Sequence, residues 1–188
     1  MRIISGKLRH RIIEMTNLDT TRETQDKVRG AIFNMIGPYL DGDYCLDLFT
    51  GSGAMAIEAY SRGIKNIVLN DLNDKAIAIA KKNCTSLGIK EAEFYNLDYK
   101  KFIELDKHTY DLIILDPPYK MDNISEILED VLKLLSKNGM IVFEMAKESK
   151  YPDTLGDVSL IKNKEYGIKR VLVYKRVWLY WLNLNVFI

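Results

Sequence analysis

Between Tyr44 and Met145, short apolar runs alternate with longer segments whose apolar positions recur every three or four residues. The runs near 44–49, 64–70, 92–96, 110–115 and 139–145 lack the alternation of a half-exposed strand and predict strands covered on both faces. The periodic segments near 54–62, 73–87, 98–105 and 124–136 predict amphipathic helices. Strand and helix in turn predict an α/β fold with a doubly wound, mostly parallel sheet. Two more strands, near 157–163 and 168–176 and joined through "NKEYG", predict an antiparallel C-terminal hairpin that brings the sheet to seven strands.

Ahead of this core, "RIIS" and "RIIEM" predict a small N-terminal β-hairpin around a glycine turn. A helix follows, with Thr or Asp as its cap, Val28, Ile32, Phe33, Met35 and Ile36 at helical spacing, and Gly37-Pro38 as its stop. Gly30 inside that helix costs about 1 kcal/mol relative to alanine. The pattern divides the chain into an N-terminal hairpin and helix, 1–40, an α/β domain, 41–176, and an uncharged apolar tail, 177–188, whose role it leaves open.

Composition narrows the class. A chain of 188 residues, 47% hydrophobic and 28% charged, fits one soluble domain with a sizeable core. Cys45 and Cys84 fall in an apolar run and a helix, as buried reduced thiols do, with no metal-ligand spacing. Neither a signal peptide nor a membrane-length apolar run is expected, which makes the cytoplasm the expected location. The net charge of +1 conceals an uneven distribution. Residues 1–29 carry seven Lys/Arg against four Asp/Glu, residues 162–176 six against one, and the body between is acidic. Basic ends on an acidic body suggest a polyanion site built by the termini.

The strand ends carry the candidate chemistry. In "CLDLFTGSGAMAIEA" a glycine turn, Gly51-Ser52-Gly53, lies between the first strand and its helix, where glycine permits tight backbone and a helix N-terminus presents free N–H groups. Gly51 to Ala56 satisfies G-x-G-x-x-G/A, so a nicotinamide dinucleotide must be considered. Asp47 argues against it: a carboxylate four residues before the turn would repel a pyrophosphate but favour the ammonium and sulfonium charges of S-adenosylmethionine. Asp71, at the end of the second strand, is placed to accept from ribose hydroxyls, with helix capping by Asp71 or Asn73 as the alternative. Asp98, after the third strand, could accept from an adenine amino group or cap a helix. "LIILDPPYKM" ends a buried strand in Asp116, Pro117, Pro118 and Tyr119, where the prolines impose a stiff turn at the strand's carboxyl end.

Taken together, these strand ends resemble the Rossmann-like S-adenosylmethionine-dependent methyltransferases with a (D/N)PP(Y/F) motif. More narrowly, the chain resembles the bacterial 16S ribosomal RNA guanine-N2-methyltransferase family. The resemblance runs from "MRIISGK" through "TTRETQDKVRGAIFN", "LDLFTGSGAMAIEA" and "LDPPY" to "EYGIKRVLVYKR". It implies that Asp47, Phe49, Thr50, Gly51, Ser52, Gly53, Asp71 and Leu72 hold the cofactor's methionine and ribose, and Asp98 its adenine. Asp116, beside the cofactor, would join Pro117, Pro118 and Tyr119 around the target amine, and no metal is implied. The implied partner is 16S ribosomal RNA, within an assembled or assembling small subunit, and the RNA contacts expected on charge are Arg2, Lys7, Arg9, Arg11, Arg22, Lys27 and Arg29. The chain departs from the family's usual pattern at Glu23, where proline is common, at Thr50, where alanine is common, and at Gly30, where an acid is common. A DNA or protein amine methyltransferase sharing the catalytic core, a nicotinamide-dependent oxidoreductase and a silent RNA-binding module remain the alternatives at this point.

Overall fold

The computed structural model describes residues 1–16, 26–118, 121 and 123–176. In chain order the elements are α1 (Asp26–Ile36), β1 (Tyr44–Asp47), α2 (Ala54–Ser61), β2 (Asn66–Asn70), α3 (Asp74–Leu87), β3 (Ala92–Tyr95), α4 (Tyr99–Leu105) and β4 (Tyr110–Leu115). They continue through α5 (Ile124–Leu132), β5 (Leu135–Ala146), β6 (Thr154–Leu155), β7 (Val158–Tyr166) and β8 (Lys169–Arg176). The strands form one sheet in the order β3-β2-β1-β4-β5-β8-β7-β6, parallel from β3 to β5 and antiparallel beyond. The chain winds outward from β1 to β3 and then restarts at β4 on the other side. The switch point therefore falls between the carboxyl ends of β1 and β4, where such sheets bind ligands.

Both sheet faces are covered, as the unbroken apolar runs require. Cys45, Leu112, Ile114, Val142 and Val173 face a cluster that includes Ile32 and Phe33 of α1, Ala56 and Ala59 of α2, and Ala80 and Cys84 of α3. Leu46, Ile113, Leu115, Ile141 and Phe143 face Phe102 of α4 and Ile127, Leu128 and Val131 of α5. Both cysteines are free and buried, and desolvation raises their thiol pKa, that of Cys84 to about 12.

The expected elements are present with local differences. An eighth strand, the two-residue β6, pairs with the start of β7. The helix expected to reach 136 stops at Leu132, and β5 begins at Leu135. Leu134 and Leu135 continue the helical apolar period, but Tyr110 N–H bonds the Leu134 carbonyl at 2.8 Å and Leu135 pairs with Tyr110. The pairing then shifts register past Gly139, where a Cβ would lie 2.8 Å from the Tyr110 carbonyl oxygen. The C-terminal hairpin pairs as far as Tyr166 and Lys169, leaving Gly167-Ile168 as the turn.

The N-terminal hairpin is reduced to a single bridge, Arg2 with Ile12, supported by backbone bonds from Ile3, His10 and Ile13. Its stability comes from the helices beneath it. Ile3 and Ile13 belong to the same cluster as α1, α2 and α3. Seven of the eight residues of α2 are buried because the sheet lies under it and the arm over it. Glu58 of α2 is fully buried, and its carboxylate accepts from Ile4 N–H at 2.8 Å and Ser5 N–H at 3.0 Å. It also pairs with Arg62 at 2.7 Å and Arg29 at 3.5 Å. Leu8 and Lys7 N–H groups bond the hydroxyl and carbonyl of Ser61. Gly6, at φ +82°, passes so close that a Cβ would lie 1.8 Å from that carbonyl oxygen, so only glycine fits. The tail 177–188 and the threonines expected as the cap of α1, Thr20, Thr21 and Thr24, lie outside the described residues, and Asp26 is the first residue of α1.

Glu58→Ala is expected to lower the unfolding free energy by about 3–5 kcal/mol, because it strands Arg29 and Arg62 and two arm N–H groups in the interior. Urea denaturation measures it, and a loss below about 1 kcal/mol would contradict the clamp.

Candidate active site

Strands β1, β2, β3 and β4 end side by side, and their last backbone groups lie beyond the ladders that satisfy the rest of the sheet. Beyond β1 the chain still pairs alternately with its neighbours: Leu48 N–H bonds the Ile114 carbonyl at 3.2 Å, and Thr50 N–H bonds that of Asn70 at 2.9 Å. The glycine turn follows, with Gly51 at φ +54° and Gly53 at φ +83°, both left-handed. Gly53 is the N-cap of α2, and a Cβ there would lie 3.1 Å from Leu69 Cδ2 and 3.4 Å from Ala80 Cβ. Backbone conformation and helix packing both demand glycine at that position.

Asp47 lies under this turn, 2% exposed, and accepts from Ala56 N–H at 3.2 Å in the first turn of α2. Burial pushes its pKa up to about 7; the bond to Ala56 opposes that rise, and the charges of Asp116 and Asp71 add to it. Asp47 thus senses acids from two other strand ends around the switch point.

Asp71 does more than either role expected of it. One carboxylate oxygen accepts from Gly51 N–H at 2.9 Å and the other from Asn73 N–H at 2.9 Å, which joins the end of β2 to the glycine turn. Capping of α3 falls to Asn73, whose side chain accepts from Lys75 N–H. Leu72 is exposed at the lip, and the Asn96 amide donates to the carbonyls of Asp71 and Leu72 at 2.8 and 2.9 Å. Asp98 is exposed and caps α4 through Lys100 N–H at 2.9 Å. Phe49 stands 5.8 Å from the ring of Tyr99, whose hydroxyl accepts from Asn123 beyond β4. Asp116 is half-buried, Pro117 buried and Pro118 exposed, and the Pro118 carbonyl accepts from Met121 N–H at 2.9 Å. Tyr119 lies outside the described residues.

Three asparagines went unremarked in the sequence. Asn70, 1% exposed, donates to the carbonyls of Leu48 and Leu97 and accepts from Leu97 N–H, tying the ends of β1, β2 and β3. Asn96 fixes the loop after β2, as above. Asn83 of α3 donates to the Ser52 carbonyl in the glycine turn. Asn70 and Asn96 lie at or just beyond the end of an apolar run, which was the available signal for those two, while Asn83 lies within a helix, and nothing in a single sequence separates any of them from an ordinary polar residue.

Of the basic residues expected to meet RNA, Arg2, Lys7, Arg9, Arg11 and Lys27 are exposed. Lys7 sits over the Tyr60 ring, 3.4 Å from its centroid, and Arg11 reaches the Ser86 carbonyl. Arg22 lies outside the described residues. Arg29 is a correction: its guanidinium is fully buried, paired with Glu58 and Asp26 and bonded to the Arg2 carbonyl, so it holds the arm and offers no surface charge. The basic C-terminal stretch is also largely committed within the protein. Lys169 pairs with Glu144, Arg170 with Glu165 and Arg176 with Asp157, and Lys162 donates to the Met35 carbonyl at the end of α1. The exposed positive charge of the arm is therefore the better polyanion surface. Among the described residues no group of three His, Cys, Asp or Glu could hold a metal ion, and no helix is long and apolar enough to cross a membrane.

The family described as Conserved hypothetical protein 95 matches residues 1–175. The Bacillus subtilis protein YlbH is 39% identical over 182 residues, covering 94% of this chain and 99% of its own length. The ribosomal RNA small subunit methyltransferase D of Haemophilus influenzae is 30% identical over 185 residues, 93% of each chain. The solved structure of the putative methyltransferase yhhF from Escherichia coli superposes with a TM-score of 0.83 at 26% identity, covering 94% of this chain and 98% of that one.

The raised pKa of Asp47 has a definite sign. Between about pH 4 and 7 the unfolded chain has released this proton while the folded protein retains it, so the group's contribution to stability falls as pH rises, by up to about 1.4 kcal/mol per unit. Against Asp47→Asn, the wild type is expected to lose stability across that window in urea denaturation. Parallel profiles for the two proteins would contradict it.

Proposed function

Because the chain belongs to the Conserved hypothetical protein 95 family, we propose that it is an S-adenosylmethionine-dependent methyltransferase that modifies the exocyclic N2 amine of a guanine in 16S ribosomal RNA. The observation that carries this reading is the carboxyl edge of the sheet. There a glycine turn and the carboxylates of Asp47, Asp71 and Asp116 meet at the switch point, in a chain similar along nearly its whole length to a named ribosomal RNA methyltransferase. The substrate is the RNA within an assembled or assembling small ribosomal subunit, and the reaction takes place in the cytoplasm.

The residues fit the cofactor by their chemistry. Asp71 uses two of a carboxylate's roughly four acceptor sites on Gly51 and Asn73, leaving acceptors for paired ribose hydroxyls. Asp98 has a second oxygen for an adenine amine, and Phe49, Thr50, Ser52, Gly53 and Leu72 complete the walls. A pyrophosphate in the same place would meet the carboxylates of Asp71 and Asp116, with Asp47 charging as pH rises past about 7, which argues against a nicotinamide cofactor. S-adenosylmethionine, when bound, supplies a methyl group activated by a sulfonium.

The chain's own work is on the amine. Guanine N2 is a poor nucleophile because its lone pair is delocalised into the ring. The Asp116 carboxylate and the Pro117 carbonyl each accept one of its N–H bonds, which turns the lone pair out of conjugation and toward the methyl group. Pro117 and Pro118 hold both acceptors in place, so little reorganisation is left for the transition state. Transfer acidifies the amine, and its proton leaves to Asp116 or to water. Tyr119 stacks on the base once it is drawn out of the RNA. Residues 1–40 form the RNA-contacting segment, with Arg2, Lys7, Arg9, Arg11, Arg22 and Lys27 on phosphates, and residues 41–176 carry the chemistry.

Small ribosomal subunits lacking the modification, incubated with methyl-labelled S-adenosylmethionine, are expected to yield labelled N2-methylguanine. Asp116→Ala should lose at least about a hundredfold in turnover while binding S-adenosylhomocysteine normally, and Asp71→Ala should mainly weaken that binding, by about tenfold. Equal loss of calorimetric affinity in both variants would overturn this division of roles.

A further inference from the structure

One side chain touches both substrate-binding segments. Asn83, in the third turn of α3 and 2% exposed, accepts from Glu14 N–H at 2.8 Å and donates to the Glu14 carbonyl at 2.9 Å. Its amide also donates to the Ser52 carbonyl at 2.9 Å. The carboxamide therefore pairs with the arm as a strand residue would, through one acceptor and one N–H, and turns its other N–H to the glycine turn. Neighbouring contacts place the same stretch of arm on the same helix: Glu14 pairs with Lys82, and Arg11 reaches the Ser86 carbonyl. No other natural side chain reproduces this. Aspartate has no N–H for the two carbonyls, leucine matches the shape and leaves all three backbone groups without a partner, and glutamine is one methylene too long.

We propose that Asn83 is a positioning residue shared by the two substrates, holding the cofactor turn through Ser52 and the RNA-contacting arm through Glu14. The inference rests on the functional reading above. It predicts that removing one amide far from the reacting atoms weakens capture of both substrates and leaves the chemical step intact. A residue that merely stabilised the fold would lower the melting temperature and move neither KM.

The test uses the full chain, unmodified small ribosomal subunits and S-adenosylmethionine. Asn83→Leu is expected to raise the KM for each substrate by roughly tenfold, with kcat at saturation within about twofold of wild type. Should that variant not fold, Asn83→Ser, which falls short of all three partners but keeps a polar group, is expected to move both KM values the same way. Glu14→Pro removes the N–H that Asn83 accepts from together with the Glu14–Lys82 ion pair, so Glu14→Ala, which loses the ion pair alone, is its control; Glu14→Pro should raise the KM for the subunit, and only that KM, beyond the value for Glu14→Ala. A change in just one KM for the Asn83 variants, or a lower melting temperature with both KM values unchanged, overturns the proposal. Absence of transfer by the wild type would count against the functional reading instead. Calorimetry with S-adenosylhomocysteine decides the cofactor half even then, because unchanged affinity in Asn83→Leu overturns it.

Discussion

A parallel sheet stops abruptly at its carboxyl edge, and the backbone groups beyond the last rung have no strand to pair with. Buried N–H and carbonyl groups must find partners, so every such edge needs a second set of hydrogen bonds. Here side chains supply it. Asn70 ties the ends of β1, β2 and β3, Asp71 joins β2 to the glycine turn, Asn96 holds the loop after β2, and Asp47 anchors the first turn of α2. The loops that line the switch point are thereby bonded to the strands that carry them. A reaction that depends on orienting a weak nucleophile benefits from a site that does not have to reorganise.

The same reasoning accounts for the N-terminal arm. It has too few backbone bonds of its own to be a stable hairpin, and α2 supplies what is missing through Glu58 and Ser61. A carboxylate buried with two guanidinium groups gains little stability over apolar packing, but it is strongly selective for one geometry of the segments it joins. The arm therefore presents Arg2, Lys7, Arg9 and Arg11 outward from a fixed base. Fixed charges of this kind suit a backbone of matching shape better than a loose polyanion.

Much of this was legible in the sequence, and the limits have physical causes. Continuous apolar runs alternating with helical periods led to the doubly wound sheet, and Asp47, Asp71, Asp98 and Asp116 mark the carboxyl ends of its strands. Arg29 was misread as surface charge because basic residues usually are exposed. Its spacing of three and four residues from Ile32 and Phe33 had placed it on the apolar stripe of α1, and Glu58 amid the small apolar residues of α2 was its partner in plain view. The extent of α5 was misjudged because Leu134 and Leu135 fit a helix and a strand equally well, and only the pairing with Tyr110 decides between them. Asn70, Asn83 and Asn96 could not have been found: their roles depend on which backbone groups the fold leaves unsatisfied, which no local pattern records.

An edge preorganised by its side-chain bonds keeps its amides protected before any ligand arrives. The measurement is native-state hydrogen exchange at the amides of Gly51, Ala56, Asn73 and Leu97, whose acceptors are the side chains of Asp71, Asp47 and Asn70. Slow exchange is expected in the free protein, close to that of the strands, with little further slowing on addition of S-adenosylhomocysteine. Exchange at the rate of an unstructured peptide in the free protein, with protection only once S-adenosylhomocysteine is added, would contradict it.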